Sequence, residues 1–180
     1  MGVRNYLIEG VSGAGKTAVA TELRRRGYQA IHGDRELAYR GDPQTGLAMA
    51  PPTATPTAAW VSEHQIWDVE KVRALVANRE AAVTFFCGGS RNFAQFIDLF
   101  DGVFVLEIDL ETMNRRIDQR VALDPSDFGG TPEERELMAR LYATKKDVPK
   151  NAMSIDATAP IASVVDDILS KSRAGNPGAN

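Results

Sequence analysis

"EGVSGAGKTAV", residues 9–19, places three glycines, one lysine and one threonine between two apolar stretches. The preceding residues, "RNYLI" (4–8), have the length and composition of a short β-strand. After the stretch, Val19 and Leu23 recur at helical spacing, and Gly27 suits the end of a helix. The sequence therefore predicts a strand, a glycine-rich turn and a helix in direct succession.

Residues 10–17 satisfy the pattern G-x-x-x-x-G-K-[ST], in the strand-to-helix setting in which this pattern binds phosphate groups. Glycines allow backbone N–H groups to turn toward phosphate oxygens, and the positive end of the following helix adds to the attraction. We expect Lys16 to reach the β- and γ-phosphates of a nucleotide and the Thr17 hydroxyl to hold Mg²⁺. The alternative is a glycine-rich turn that carries a Lys-Thr pair by coincidence. The predicted nucleotide-binding residues of this loop are Gly10, Ser12, Gly13, Ala14, Gly15, Lys16, Thr17 and Ala18.

The composition is that of one globular domain. The chain has 180 residues, of which 43% are hydrophobic and 25% charged, with a formal net charge of -3. This charge gives no basic footprint for a nucleic-acid polymer, and no apolar run is long enough for a membrane span, so we expect a cytoplasmic protein. Cys87 is the only cysteine, which excludes an internal disulfide, and a small buried residue is its simplest interpretation.

Strand-length apolar runs alternate with helical patterns along the chain. The predicted strands are residues 4–8, 28–32, 82–87, 103–108 and 152–156. Helical spacing of apolar residues occurs within 18–27, 69–76, 93–100, 110–121, 131–141 and 161–169. Several strands lack strict alternation, which is typical of strands covered on both faces. The sequence therefore predicts an α/β fold with a parallel sheet.

Two irregular stretches interrupt this alternation. Residues 40–60 are rich in Pro, Thr, Ala and Gly, and such a long insert is more often a functional or mobile loop than a linker. Residues 123–134 form a shorter one, which ends in "TPEE", a capping box with proline at the first helical position. We expect a single domain over residues 1–170 and a disordered tail over 171–180.

In the order and spacing of these elements, residues 4–170 resemble the P-loop kinases of small molecules. These are the nucleoside and nucleotide kinases typified by adenylate kinase, together with the related shikimate and gluconate kinases. The resemblance implies a three-layer α/β/α fold with a five-stranded parallel sheet. It also implies an acceptor-binding insert at about 35–67 and a short lid at about 122–134, with Gly129 and Gly130 as hinge candidates. A plain surface loop is the alternative to the lid.

The stretch "MNRRIDQR" contains two arginines, Arg116 and Arg120, which a helix places on one face. By the resemblance, Arg116 would pack near the nucleotide base and Arg120 would contact the phosphates. Asp156, Ala157 and Thr158 would border the adenine. The alternatives are solvated surface arginines and an aspartate that only caps the end of a strand.

The acceptor side is implied by the resemblance to shikimate kinase. Asp34, after the second strand, would orient the acceptor hydroxyl as a general base or through Mg²⁺, unless it only caps a turn. Gly88 and Gly89 end the third strand, where ligands bind in open α/β sheets, although an ordinary tight turn would look the same. The candidate acceptor-binding residues are Asp34, Arg35, Arg40, Trp60, Gly88, Gly89 and Arg91, and the catalytic candidates are Lys16, Asp34 and Arg120.

Two features of the predicted metal and acceptor sites leave alternatives open. The third strand, "AVTFFCGG", lacks the aspartate that many P-loop proteins use to support Mg²⁺. Either Asp34 replaces it, or Thr17, phosphates and water hold the metal. Trp60 could stack on a base, but a tryptophan beside a helical stripe is more often part of the core, and Trp67 is the stronger candidate for the core.

Together these patterns predict an enzyme that uses ATP with Mg²⁺ to phosphorylate a nucleoside or a nucleoside monophosphate. A kinase of a small polyol or hydroxy acid is one alternative. The other is an ATP-binding regulator with weak ATPase activity that reports nucleotide state to a partner.

Overall fold

The computed structural model describes residues 3–174, and a parallel β-sheet lies at its centre. The strands are β1 (Arg4–Gly10), β2 (Gln29–His32), β3 (Ala38–Arg40), β4 (Gln65–Trp67), β5 (Val83–Cys87), β6 (Gly102–Glu107) and β7 (Met153–Asp156). The central sheet has the order β2-β5-β1-β6-β7, and β3 and β4 form a separate antiparallel pair. The predicted α/β fold with five parallel strands is confirmed.

Helices cover both faces of the central sheet, as expected for a three-layer fold. They are α1 (Lys16–Arg25), α2 (Gly33–Glu36), α3 (Ala58–Glu63), α4 (Val69–Ala77), α5 (Leu110–Leu123), α6 (Pro132–Thr144) and α7 (Ile161–Ala174). Within residues 3–174, none of these helices has the length and apolar character needed to cross a bilayer.

Successive side chains of a strand point to opposite faces of the sheet, so the core is divided into two layers. Ile8 of β1 and Phe85 of β5 belong to the layer that includes α1, α5 and α7. Leu7 and Phe86, one residue along each strand, belong to the layer that includes α4. Cys87 is buried, in agreement with its simplest interpretation, and burial raises the pKa of its thiol.

The register of three neighbouring strands sets the edge at which loops emerge. Cys87 at the end of β5 pairs with Ile8 of β1 on one side and with His32 of β2 on the other. Strands β5 and β2 end at this row, and β1 continues for two more residues, to Gly10, paired with β6. This edge carries the glycine-rich loop of residues 10–15, helix α2 and the Gly88-Gly89 turn.

The helix predicted within 93–100 is wrong. The structure has two short 3₁₀ turns there, Phe93–Gln95 and Ile97–Leu99. The aromatic spacing serves packing instead, because the ring of Phe96 stacks on Trp67 with centroids 5.6 Å apart. The Asn92 side chain bonds to the backbone of Trp67 and does not cap a helix.

The long insert is more structured than the irregular loop predicted at 40–60. Strand β3 pairs with β4, which brings Arg40 level with Gln65, and α3 begins within the insert at Ala58. At the other end of the chain, residues 171–174 continue α7, which corrects the expected tail for these four residues. The remainder of that prediction, 175–180, lies outside the described residues.

Trp67 is fully buried and its ring lies against two glycines at the loop-bearing edge. A Cβ atom on Gly33 would lie 2.0 Å from Trp67 Cζ2, and one on Gly88 would lie 2.7 Å from the same atom. The contact leaves no room for a side chain at either position. It thereby fixes how closely α2 and the end of β5 approach each other.

Gly33→Ala is therefore expected to destabilise the protein by about 3 kcal/mol, because the added methyl group would force the tryptophan out of its packing. Urea unfolding followed by circular dichroism measures this. The matched control is Gly27→Ala, where nothing lies within 4 Å and only the left-handed backbone with φ +85° opposes the change, at a cost of about 1 kcal/mol. Equal stability of Gly33→Ala and the wild type would contradict the packing described here.

Candidate active site

The glycine-rich loop between β1 and α1 has the backbone of an anion cradle. Gly13 and Gly15 adopt φ values of +81° and +100°, in the left-handed region that glycine tolerates best. Gly15 is also the N-cap of α1, and no side chain caps this helix end. The N–H groups of the first turn of α1 therefore remain available to an anionic ligand.

Lys16 is held against the loop in which it lies. Its Nζ donates to the carbonyl oxygens of Gly10 at 2.5 Å and Val11 at 2.9 Å. Burial lowers the pKa of this ammonium group. Thr17, the next residue, is exposed at the start of the helix. Lys16 lines the cavity described below, whereas Thr17 does not.

Glu9, the residue before the loop, is a feature that the sequence analysis missed. It is 1% exposed, and its Oε1 atom has no hydrogen-bond partner among the described residues. Burial raises the pKa of this carboxyl well above its usual value, although the charge of Lys16 opposes the effect. The available signal was a charged residue placed directly before the first glycine of the loop, at the end of an apolar strand.

Asp34 and the Gly88-Gly89 turn meet at the same edge, as predicted. Asp34 Oδ1 accepts hydrogen bonds from the N–H of Gly89 at 3.0 Å and from Gln65 Nε2 at 3.3 Å. A Cβ atom on Gly88 would lie 2.7 Å from Asp34 Oδ1, so only glycine permits this approach. The carboxylate is fixed between α2, β4 and the end of β5.

Arg91 connects the Gly88-Gly89 turn to more distant elements. Its Nη2 donates to Ser62 Oγ at 2.7 Å and forms an ion pair with Asp147 Oδ2 at 3.4 Å. The other oxygen of Asp147 is buried without a hydrogen-bond partner among the described residues. Asp147 lies in the loop between α6 and β7, and no motif pointed to it. Arg40, on β3, donates to Gln65 Oε1 at 3.3 Å.

The two arginines of α5 share one helix face, as the spacing predicted, and both contact the glycine-rich loop. Arg116 donates to the carbonyl oxygens of Gly13 and Ala14, each at 3.2 Å, and to that of Ala157 at 2.6 Å. It therefore joins the loop to the segment that follows β7. Arg120 Nη2 lies 3.4 Å from Ser12 Oγ.

The segment after β7 has a local hydrogen-bond pattern of its own. Asp156 Oδ1 accepts from the N–H of Thr158 at 3.0 Å and from its hydroxyl at 2.5 Å. This is the strand-end cap named above as the alternative for Asp156. The contact with the glycine-rich loop comes instead from the backbone of Ala157, through Arg116.

The lid segment, defined as residues 122–134, lies against Arg120. Arg120 Nη2 donates to the carbonyl oxygen of Phe128 at 2.5 Å, and its Nε lies 3.7 Å from Asp127 Oδ2. The capping box of α6 is present as predicted. In addition, the N–H of Ala58 in α3 donates to Glu133 Oε1 of α6 at 3.1 Å. The lid is thus bonded both to α5 and to the insert.

A cavity of about 330 Å³ brings these residues together. Its charged lining consists of four acidic and four basic side chains, namely Glu9, Asp34, Asp127, Asp147, Lys16, Arg40, Arg91 and Arg120. The lining includes Gly10, Val11, Ser12 and Lys16 of the glycine-rich loop, together with Asp34, Arg40, Gln65, Gly89 and Arg91. Phe128 is the one aromatic residue that lines it in the described part of the chain.

Three predicted acceptor-binding residues, Arg35, Trp60 and Gly88, do not line this cavity. Trp60 stacks on His64, with ring centroids 4.4 Å apart, while the next two residues of α3, Val61 and Ser62, face the cavity. Successive helical residues point in different directions, which is why Trp60 is directed elsewhere. Arg35 is exposed on α2 and also lies outside the lining.

We expect Glu9→Gln to increase stability near pH 8 by about 1–3 kcal/mol, because it removes a buried carboxylate that lacks a hydrogen bond. Since burial raises the pKa of Glu9, stability is lost as pH rises from the usual value of 4.5 through the raised one. The difference between variant and wild type should therefore shrink as pH falls toward 4.5. Thermal unfolding across this pH range measures it.

Glu107→Gln is the matched control, because Glu107 is an exposed carboxylate at the end of the adjacent strand β6. Its stability difference from the wild type should not change in the same way with pH. A Glu9→Gln variant that is less stable at every pH would contradict the account and would indicate a stabilising attraction from Lys16, Arg91 or both.

Comparison with known proteins finds similarity in structure but not in sequence. No protein-family model matches the chain, and no curated protein matches it. A gluconokinase from Sinorhizobium meliloti is 19% identical, with a TM-score of 0.56 over 96% of this chain and 93% of its own. A shikimate kinase from Acinetobacter baumannii, solved with shikimate, is 19% identical, with a TM-score of 0.61 over 97% and 96%.

A nucleoside kinase has the same architecture. Deoxyadenosine kinase from M. mycoides, solved with the products dCMP and a flexible dCDP, is 17% identical, with a TM-score of 0.51 over 94% of this chain and 99% of its own. Identities this low establish a shared fold and leave the reaction open. The chain therefore has the α/β fold of the P-loop kinases.

Proposed function

We propose that this protein is a phosphotransferase that moves the γ-phosphate of ATP to an oxygen atom of a small polar acceptor, either a hydroxyl or a phosphate oxygen. The observation that carries the proposal is that the glycine-rich phosphate cradle and Asp34 line one cavity. A phosphoryl donor on one side and an acceptor on the other would meet there. The fold shared with three kinases of different specificity supports the same class of reaction.

The donor would bind to the cradle. The N–H groups at the start of α1 and the ammonium of Lys16 supply the positive charge that a polyphosphate requires. Lys16 would exchange its bonds to the loop carbonyls of Gly10 and Val11 for phosphate oxygens. Arg120 reaches the same loop through Ser12 and would stabilise the charge that spreads over the transferring group.

Magnesium would arrive with the nucleotide. In residues 3–174, no group of three or more His, Cys, Asp and Glu side chains could hold a metal ion by itself. The oxygen donors at the cradle, the Thr17 hydroxyl and the nearby carboxylates, have the hard character that Mg²⁺ prefers. When bound, the ion would neutralise charge on the β- and γ-phosphates.

Asp34 would act on the acceptor. Its carboxylate, fixed by Gly89 and Gln65, would accept the proton of the acceptor hydroxyl as the oxygen attacks the γ-phosphorus. A new O–P bond forms, the bond between the γ-phosphorus and the bridging oxygen breaks, and ADP leaves. The lid segment, held to Arg120 through Phe128, would exclude water that competes for the phosphoryl group.

Two acceptor classes are compatible with this arrangement. Our first candidate is a nucleoside or nucleoside monophosphate, for which Arg40 and Arg91 could bind a phosphate group. A small polyol or hydroxy acid is the second, and a specific observation favours it. Trp60, the residue expected to stack on a base, stacks on His64 outside the cavity lining.

An acceptor screen tests the proposal. ADP release from ATP and Mg²⁺ is measured with nucleosides, nucleoside monophosphates, polyols and hydroxy acids, each above the rate without acceptor. Stimulation by one class supports the enzyme and identifies the acceptor. A protein that binds ATP but is stimulated by none of them would contradict the proposal and favour the nucleotide-binding regulator. Lys16→Ala should abolish any stimulation, because it removes the charge that reaches the phosphates.

Arg120→Ala should lower kcat about a hundredfold or more, because it removes a positive charge from the transferring group. The matched control is Arg115→Ala, which removes an exposed arginine from the same helix and should leave kcat within about twofold, as for surface substitutions in general. Steady-state rates of ADP release for both variants decide the matter. Equal rates for Arg120→Ala and the wild type would remove Arg120 from the mechanism.

A further inference from the structure

The end of β5 lacks an acidic side chain, and the adjacent strand supplies one at the same level. Ile8 of β1 pairs with Cys87 of β5, so the residues that follow them, Glu9 and Gly88, are neighbours across the sheet. Both strands end at the edge that carries the phosphate cradle. A carboxylate on β1 therefore lies next to the place where a side chain at the end of β5 would begin.

Gly89 provides the room for this carboxylate. A Cβ atom on Gly89 would lie 3.4 Å from Glu9 Oε2 and 4.0 Å from Lys16 Cε. The space beside Gly89 is thus shared by the Glu9 carboxylate and the stem of Lys16. The Gly89 N–H also donates to Asp34 Oδ1 at 3.0 Å, so two carboxylates, one from β1 and one from α2, approach the same glycine.

The buried carboxyl group of Glu9 lowers the stability of the folded protein unless a ligand binds to it. The residue is 1% exposed, and its Oε1 has no hydrogen-bond partner in the described part of the chain. Lys16 does not satisfy it, because its Nζ donates to the carbonyl oxygens of Gly10 and Val11. A buried carboxyl oxygen without a partner is unfavourable, so a ligand that brings a positive charge or a proton donor would be stabilised here.

We propose that Glu9 holds the hydrated Mg²⁺ of the bound nucleotide, in place of an aspartate at the end of β5. The inference rests on the proposed function. Glu9 lies one residue before the cradle and beside Lys16, so a bound triphosphate would be close to it. The Glu9 carboxylate and a triphosphate bound to the cradle would both be negative. They would repel each other unless a cation lay between them. Mg²⁺ retains several of its waters, and a carboxylate accepts hydrogen bonds from them.

The acceptor is a weaker explanation for Glu9. The groups on the acceptor side, such as Gln65, Arg91 and Asp147, come from β4, the turn after β5 and the loop before β7. Glu9 belongs to the strand that leads into the phosphate cradle. The other side chain that lies beside Gly89 is Lys16, the residue assigned to the phosphates.

The test measures ADP binding by titration calorimetry, with MgCl₂ and with EDTA, for the wild type, Glu9→Gln and Asp147→Asn. In the wild type, Mg²⁺ should tighten ADP binding. In Glu9→Gln this enhancement should fall about tenfold or more, the usual loss when a supporting group of a metal site is removed. In EDTA, Glu9→Gln should bind ADP at least as tightly as the wild type, because a negative charge near the phosphates is gone.

Asp147→Asn is the matched control, since it removes a carboxylate from the same cavity on the acceptor side. It should retain the enhancement by Mg²⁺. Glu9→Asp, which keeps the carboxylate on a shorter stem, should lose less of the enhancement than Glu9→Gln.

Three results would overturn the inference. They are an enhancement by Mg²⁺ that is equal in Glu9→Gln and the wild type, one that falls equally in Asp147→Asn, and a Glu9→Gln variant that binds ADP more weakly than the wild type in EDTA as well. Each would leave the proposed function standing. A wild-type protein that binds ADP under neither condition would instead overturn the proposed function, and this inference with it.

Discussion

The register of three parallel strands is the constraint on which the site depends. Because Ile8, Cys87 and His32 lie in one row across the sheet, β5 and β2 end level with Ile8 of β1, and β1 ends two residues further on, at Gly10. Parallel pairing sends all three chains out at one edge. A shift of one residue in any of these strands would turn its side chains to the opposite face and separate the cradle from Asp34. The buried ring of Trp67, packed on Gly33 and Gly88, stabilises this alignment.

The acidic and basic side chains that line the cavity are equal in number, but not every one of them has a partner. Four acidic and four basic side chains line it, and they are drawn from the sheet edge, the insert, α5 and the loop before β7. Some are paired, as Arg91 is with Asp147, whereas Glu9 is buried with an oxygen that has no partner. A triphosphate would make such a cavity net negative, and a divalent cation would offset part of that charge. Carboxyl groups that reduce stability on their own are typical of sites shaped for a ligand.

The sequence predicted the features that depend on local patterns. The five strands, the glycine-rich loop and the common face of Arg116 and Arg120 follow from spacing within short segments. Asp34 and Gly89 could be placed together because strand ends in a parallel sheet share an edge. These predictions needed only the strand order and direction of the fold.

The remaining features depend on contacts between distant segments. Asp147 lies in a loop without a motif and becomes part of the cavity only when Arg91 meets it. The apolar residues at 93–100 have helical spacing but do not form an α-helix, and Phe96 stacks on Trp67 of β4. Trp60 shows the reverse case, since its residue type suited a base but its position on α3 directs it to His64. Packing decides such cases, and a single sequence does not reveal it.

The hydrogen bond between the N–H of Ala58 and Glu133 joins α3 of the insert to α6. Both helices contribute residues to the lining of the cavity. An outward swing of α6 either breaks this bond or pulls α3 along, together with the cavity wall formed by Val61 and Ser62. A displacement of α6 would therefore also change the shape of the cavity on the side that α3 lines.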